Sequence, residues 1–192
     1  MNPYKTQTVV KQNVLNMTKI KIKEAFLELY KIKNFQRITV KDIYQKAYVA
    51  RTTFYHYYKN IVEVIEEIED EVINKLILIN DDILNADIKD LKSMEFFEKT
   101  INYIDKNFNL FYLFFVKQPN TRFIDKWKKG IKYHFYDKCS KENCNINIEL
   151  AIEMIASAAI SDYTYWISNK DKVKRESSNE IICMFLTAIQ NK

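Results

Sequence analysis

Three features of this sequence predict an all-α fold. Glycine appears once (Gly130) and proline twice (Pro3, Pro119) in 192 residues, too few for the tight turns that sheet-rich folds need. Apolar residues recur at i, i+3, i+4 and i+7 through most of the chain, the period of a helix with one buried face. Cap-forming residues stand where those periodic runs begin. About nine helices and no strand are expected.

The first helix is expected over 18–33, with Thr18 as N-cap and Ile22, Ala25, Phe26 and Leu29 as its inner stripe. Residues 1–17 are polar and form either an arm or an extension of this helix. Asn34 and Phe35 end it, and Phe35 and Ile38 are placed to tuck under the next helix. Thr39 with Asp42 forms a capping box in which Asp replaces the usual Glu. Ile43 and Ala47 then face inward, and the small Ala47 lets a crossing helix approach. Val49 fills the angle. Arg51–Lys59 form the following helix, with Phe54 and Tyr58 at i, i+4 on its buried side.

Asn60 with Glu63 repeats the cap signal and opens a long helix, IVEVIEEIEDEVINKLILI, whose acidic run at 66–71 is expected to be a solvated face. Residues 93–107 are amphipathic. Residues 109–118 are apolar nearly all round, as a buried helix would be, and Pro119 stops them. Residues 121–138 and 147–168 are amphipathic again, the second with Ala156, Ser157, Ala158 and Ala159 permitting close helix contact. A last helix is expected over 177–190.

Composition narrows the function. With 47% hydrophobic and 29% charged residues the chain has material for a core, and no long charge-free apolar run marks a membrane span. The N-terminus lacks an apolar signal core, which predicts a cytoplasmic protein. No glycine-rich phosphate loop exists. The three cysteines form no CxxC pair, and with only two histidines their spacing matches no common zinc pattern. No metal, cofactor or catalytic constellation is expected, so an enzyme is disfavoured.

Charge is unevenly placed. Residues 1–60 hold 12 Lys/Arg against 3 Asp/Glu, and the remaining 132 hold 18 against 22. A basic module joined to a mildly acidic body fits a module that meets a polyanion. Inside it, TVKDIYQKAYVARTTFYHYYKN (39–60) reads as two short helices and a tight turn, the arrangement of a helix-turn-helix that lays its second helix in a DNA major groove.

Over residues 18–64 the chain resembles the TetR family of transcriptional regulators. The resemblance rests on Thr39, Val40, Ile43, Ala47, Val49, Phe54, Tyr55, Tyr57, Tyr58 and Asn60. The family's turn glycine, reading-helix serine and fourth-helix lysine are replaced by Tyr48, Ala50 and Ile61. The rest of the chain is similar only in helix count, length and the ending Trp166-Ile167-Ser168-Asn169, which resembles a subgroup common in low-GC Gram-positive bacteria. The resemblance implies a helix-turn-helix DNA-binding domain at 1–62 and an effector-binding and dimerisation domain at 63–192. It implies a homodimer built on the last two helices, binding a pseudo-palindromic operator in double-stranded DNA. It also implies a repressor released by a small ligand.

Candidate DNA contacts are Thr39 and Lys41 at the start of the first motif helix, then Arg51, Thr52, Thr53, Tyr55, His56, Tyr57 and Lys59. Arg51 suits a bidentate guanine contact or a phosphate contact. Tyr55 and Tyr57 suit phosphates, as the family motif implies, or packing. A hydrophobic effector pocket is expected from Phe97, Ile101, Phe111, Phe114, Phe115, Trp127 and Phe135, unless these are simply core. Tyr103, Tyr112 or Tyr133 would offer a polar handle. The dimer stripe is expected at Ile152, Ile155, Ala159 and Tyr163, continued by Ile181, Phe185 and Ile189. A competing reading is an adaptor or coactivator that acts through a protein partner and binds DNA weakly.

Overall fold

Eight helices and no strand make up the described residues of the computed structural model, which are 3, 17–81, 95–139, 147–174, 180 and 184. Side chains of 95–97 and 137–139 are not described. The helices are α1 (Met17–Tyr30), α2 (Val40–Lys46), α3 (Arg51–Tyr57), α4 (Ile61–Ile79), α5 (Glu95–Lys106), α6 (Phe108–Tyr112), α7 (Thr121–Cys139) and α8 (Ile148–Ser168). The ninth expected helix, 177–190, lies outside the described residues apart from Glu180 and Met184. Two compact units divide between Val72 and Ile73, inside α4.

The first unit is a three-helix motif closed by the opening half of α4. Its core is Ile22, Phe26, Ile43, Phe54 and Val64, all fully buried. Phe26 stacks on Tyr30 at 5.4 Å, and the half-buried Phe35 meets both rings edge-on. Ile38 is buried beside them. Asn34 starts a short 3-10 turn, Phe35–Arg37, by accepting the Gln36 N–H.

The Thr39 and Asn60 capping signals act as read, whereas Thr18, expected as the N-cap of α1, lies inside that helix. The Thr39 hydroxyl accepts the Asp42 N–H at 3.1 Å, and Asp42 accepts the Thr39 N–H at 2.9 Å. The Thr39 N–H and the Thr39 hydroxyl both donate to the Asp42 carboxylate and hold it below its ordinary range. Asn60 accepts the Glu63 N–H at 3.1 Å and so opens α4, while Glu63 reaches back to the Lys59 N–H at 2.7 Å.

The acidic run on α4 departs from expectation. Glu69 is fully buried, and Glu67 and Glu71 are taken up by lysines of α1. Lys19 meets Glu67 at 2.6 Å, and Lys23 pairs with Glu71 and approaches Glu67 at 3.6 Å. Part of the run therefore turns inward or onto α1. These pairs also remove Lys19 and Lys23 from the cationic surface.

The second unit is a layered helical body from Ile73 onward. Asn120 and Asn147 cap α7 and α8 by accepting the N–H groups of Phe123 and Leu150. After α6 the backbone widens into a π-helical turn, Leu113–Lys117, closed by Gln118 N–H to Leu113 O at 2.8 Å. Leu113, Phe114 and Phe115 are all buried there. Phe111, Phe114, Phe115, Phe123 and Trp127 form one aromatic cluster with ring centroids 5.0–6.4 Å apart. Glu153 of α8 pairs with both Lys128 and Lys132 of α7, tying the two helices at their surface.

Candidate nucleic-acid interface and ligand cavity

The turn between α2 and α3 is fixed by two backbone bonds. Tyr48 N–H donates to Gln45 O at 3.2 Å and Val49 N–H to Tyr44 O at 3.0 Å. This pair is a Schellman C-cap, which needs a left-handed residue at the position of Tyr48. Tyr48 has φ 54°, where a side chain costs roughly 1–2 kcal/mol and glycine costs nothing. The substitution therefore leaves the turn shape unchanged and adds strain. Ala50 follows as the N-cap of α3 with no side-chain hydrogen bond, so one early N–H of the helix lacks the usual partner.

Phe54 is fully buried and Tyr58 is 3% exposed, and together they anchor α3. The opposite face is open. Arg51, Thr52, Tyr55 and His56 are exposed, and Thr53 and Tyr57 are half-buried. The Arg51 guanidinium lies over the Tyr55 ring, 5.6 Å from its centroid. His56 meets the Tyr57 ring edge-on at 4.9 Å. Lys41 and Lys59 are exposed to either side of α3 in sequence. Thr39 is exposed, but its hydroxyl is engaged with Asp42. All nine sequence-read contacts thus belong to one unit, and six of them lie on α3.

A cavity of about 40 Å³ opens in the second unit. Leu76, Ile77, Ile131, Ile155 and Ala159 form apolar walls, with Trp127 and Phe135 from the expected set. Trp127 stacks flat on Tyr163 at 5.0 Å and 8°, making one side of the space. Gly130 lets Ile77 in: a Cβ there would stand 3.2 Å from Ile77 Cγ1.

Four polar groups also line the cavity, and sequence reading missed all four as pocket residues: Asn80, Thr100, His134 and Tyr163. Asn80 Nδ2 donates to Thr100 Oγ1 and to Leu76 O, each at 2.8 Å. His134 Nε2 lies 3.4 Å from Asp81 Oδ1. Burial pushes His134 below its ordinary pKa, against the opposing pull of Asp81 and the carbonyls of Gly130 and Ile77. Burial likewise raises the Tyr163 phenol, with Asp162 adding to it. A polar residue breaking an apolar stripe was the available signal.

Several expected roles change. Ile101, Phe111, Phe114 and Phe115 are buried in the core and do not line the cavity, because the aromatic cluster fills the space they surround. The Phe97 side chain lies outside the described residues. Tyr103, Tyr112 and Tyr133 do not line this cavity. On α8, Ile152, Ile155, Ala159 and Tyr163 are at most 8% exposed within a single chain. They face inward, three of them onto the cavity. The outward apolar residues of α8 are Leu150, Met154 and Tyr165, at 57%, 57% and 63% exposure. Ile181, Phe185 and Ile189 lie outside the described residues.

No protein-family model matches the sequence. The chain is 30% identical over 132 residues to the HTH-type dhaKLM operon transcriptional activator DhaS of Lactococcus lactis subsp. lactis (strain IL1403), covering 66% of this chain and 71% of that protein. The fold matches a TetR transcriptional regulator from Streptococcus agalactiae 2603V, with a TM-score of 0.60 and 20% identity over 90% of this chain and 93% of that one.

The chain belongs to the TetR family of transcriptional regulators.

A further TetR-family structure, Thermus thermophilus FadR in complex with lauroyl-CoA, shares the fold at a TM-score of 0.58 and 16% identity, covering 88% of this chain and 93% of that one. In this TetR-family chain the eight described helices are the family fold, and its place there makes it a transcriptional regulator rather than an enzyme. No helix among the described residues is long and apolar enough to cross a membrane.

Proposed function

We propose that the chain binds operator DNA through α3 and that a small ligand in the body cavity sets its affinity. The carrying observation is the exposed face of α3, Arg51, Thr52, Tyr55 and His56, on a helix anchored from behind by Phe54 and Tyr58. Arg51 at the first helical position is placed to reach a base edge, and the tyrosines and Lys59 are placed for phosphates. Residues 1–62 serve as the reader, and the body from 63 onward carries ligand and dimer contacts.

The cavity supports a small and uncharged effector better than a long hydrophobic one. Among the described residues no Lys or Arg lines it, so a carboxylate or phosphate meets no counter-charge from them. About 40 Å³ holds only a few heavy atoms. The ligand must favour one of two states to change DNA affinity, since equal binding to both shifts nothing. Two copies joined through the outward face of α8, Leu150, Met154 and Tyr165, would present two readers to successive major grooves.

Release of a repressor is one use of this arrangement. Activation is the second reading, and the Lactococcus relative, an operon activator, favours it. The deciding experiment is retention of a DNA fragment flanking the chain's own gene across a salt series. We expect binding at low salt that falls steeply as salt rises. Absence of binding at low salt, with a stable protein complex in its place, would remove the DNA-reading function and leave an adaptor.

A further inference from the structure

We infer that Tyr48 is a DNA-backbone contact beyond those the helix-turn-helix motif supplies; this rests on the DNA-binding reading above. Its φ of 54° places it in the left-handed region, where a Cβ is strained. Its side chain is 96% exposed, so no packing within the chain offsets that strain. A strained residue held without an internal return marks a site where the side chain acts outside the fold.

Position and charge name the partner. Tyr48 stands three residues before Arg51, and the bonds from Tyr48 N–H to Gln45 O and from Val49 N–H to Tyr44 O hold its backbone still. The phenol therefore projects from a fixed point beside the start of the reading helix. Residues 43–62 contain no Asp or Glu and carry Lys46, Arg51 and Lys59. Lys46 is paired with Glu28 of α1 at 2.6 Å, so Arg51 and Lys59 are the cations this stretch offers a phosphate backbone. A tyrosyl hydroxyl donates to phosphate oxygen, and tyrosine is among the side chains that bind phosphate and sugar and so fix register. The contact adds affinity on every sequence and carries no base preference.

The test uses the full-length protein as Tyr48→Gly and Tyr48→Phe, on the fragment flanking its gene and on a scrambled fragment of equal length. Tyr48→Gly is expected to raise the thermal midpoint while weakening binding to both fragments by the same factor, roughly five- to twentyfold, the scale of one lost hydrogen bond. Tyr48→Phe is expected to keep the midpoint and lose most of the same affinity, because only the hydroxyl is gone. A Tyr48→Gly protein that is more stable and binds both fragments as tightly as the unaltered protein overturns the inference. Retained DNA affinity with loss of a protein complex overturns it as well and moves Tyr48 to a protein interface. No binding by the unaltered protein at low salt overturns the DNA-binding reading itself, which is a distinguishable result.

Discussion

The Arg51 guanidinium rests over the Tyr55 ring, one helical turn away at 5.6 Å from its centroid. The stack narrows the range of directions open to the guanidinium at the start of the reading helix. Arg51→Ala is expected to cost about 1–3 kcal/mol on the operator and to relax sequence preference there. Competition binding against base-substituted operators measures this. An equal loss on every sequence would make Arg51 a phosphate contact. Tyr55→Phe keeps the stack and should keep the preference, while Tyr55→Ala should blur it.

Ala50 leaves α3 without a side-chain cap. Ala50→Ser restores the missing acceptor and is expected to stabilise the protein by about 1 kcal/mol. Denaturant unfolding reads the gain. No change in midpoint would mean that water already serves the free N–H.

Phe111 is fully buried against Phe115, Phe123 and Trp127. Phe111→Ala should cost about 3–5 kcal/mol, as a core truncation does. A loss under 1 kcal/mol would mean that the ring borders open space, restoring Phe111 as a pocket residue.

Hydrogen bonds and charge from Lys128, then Lys132, hold the Glu153 carboxyl down to about 2 from an ordinary 4.5. A depressed folded-state pKa means that the unfolded chain binds the proton first as pH falls. The contribution is therefore full above about pH 4.5 and is lost as pH drops toward about 2. Stability measured from pH 6 to pH 2 should fall less steeply in Glu153→Gln than in the unaltered protein. Identical slopes would show that the paired lysines give no net support.

Leu150, Met154 and Tyr165 lie outward on α8. Met154→Asp places a charge on that face and should shift a sedimenting dimer toward monomer with little loss of monomer stability. An unchanged dimer would put the interface elsewhere.

Local chemistry was legible because it depends on neighbours in sequence. The Thr39–Asp42 box, the Asn60 cap and the buried pair Phe54 and Tyr58 all follow from spacing within a turn or two. The cost at Tyr48 was legible too, since a Schellman turn demands φ above zero whatever residue occupies it. Periodicity also showed that α8 carries an apolar stripe at 152, 155, 159 and 163.

Which partner each stripe meets depends on residues far away in the chain, and periodicity holds no record of that. The α8 stripe turned inward onto α7 and the cavity because one chain already offered Trp127 and Phe135 there to cover it. Phe111, Phe114 and Phe115, taken as pocket lining, packed into one cluster with Phe123 and closed their own space. The open space formed instead where Gly130 lets Ile77 in and where Asn80, Thr100 and His134 arrive from three separate helices or their ends. Sequence thus assigns helices, caps and the helix-turn-helix, which are short-range matters. The cavity, its polar lining and the outward face of α8 arise only when distant helices compete for the same buried area.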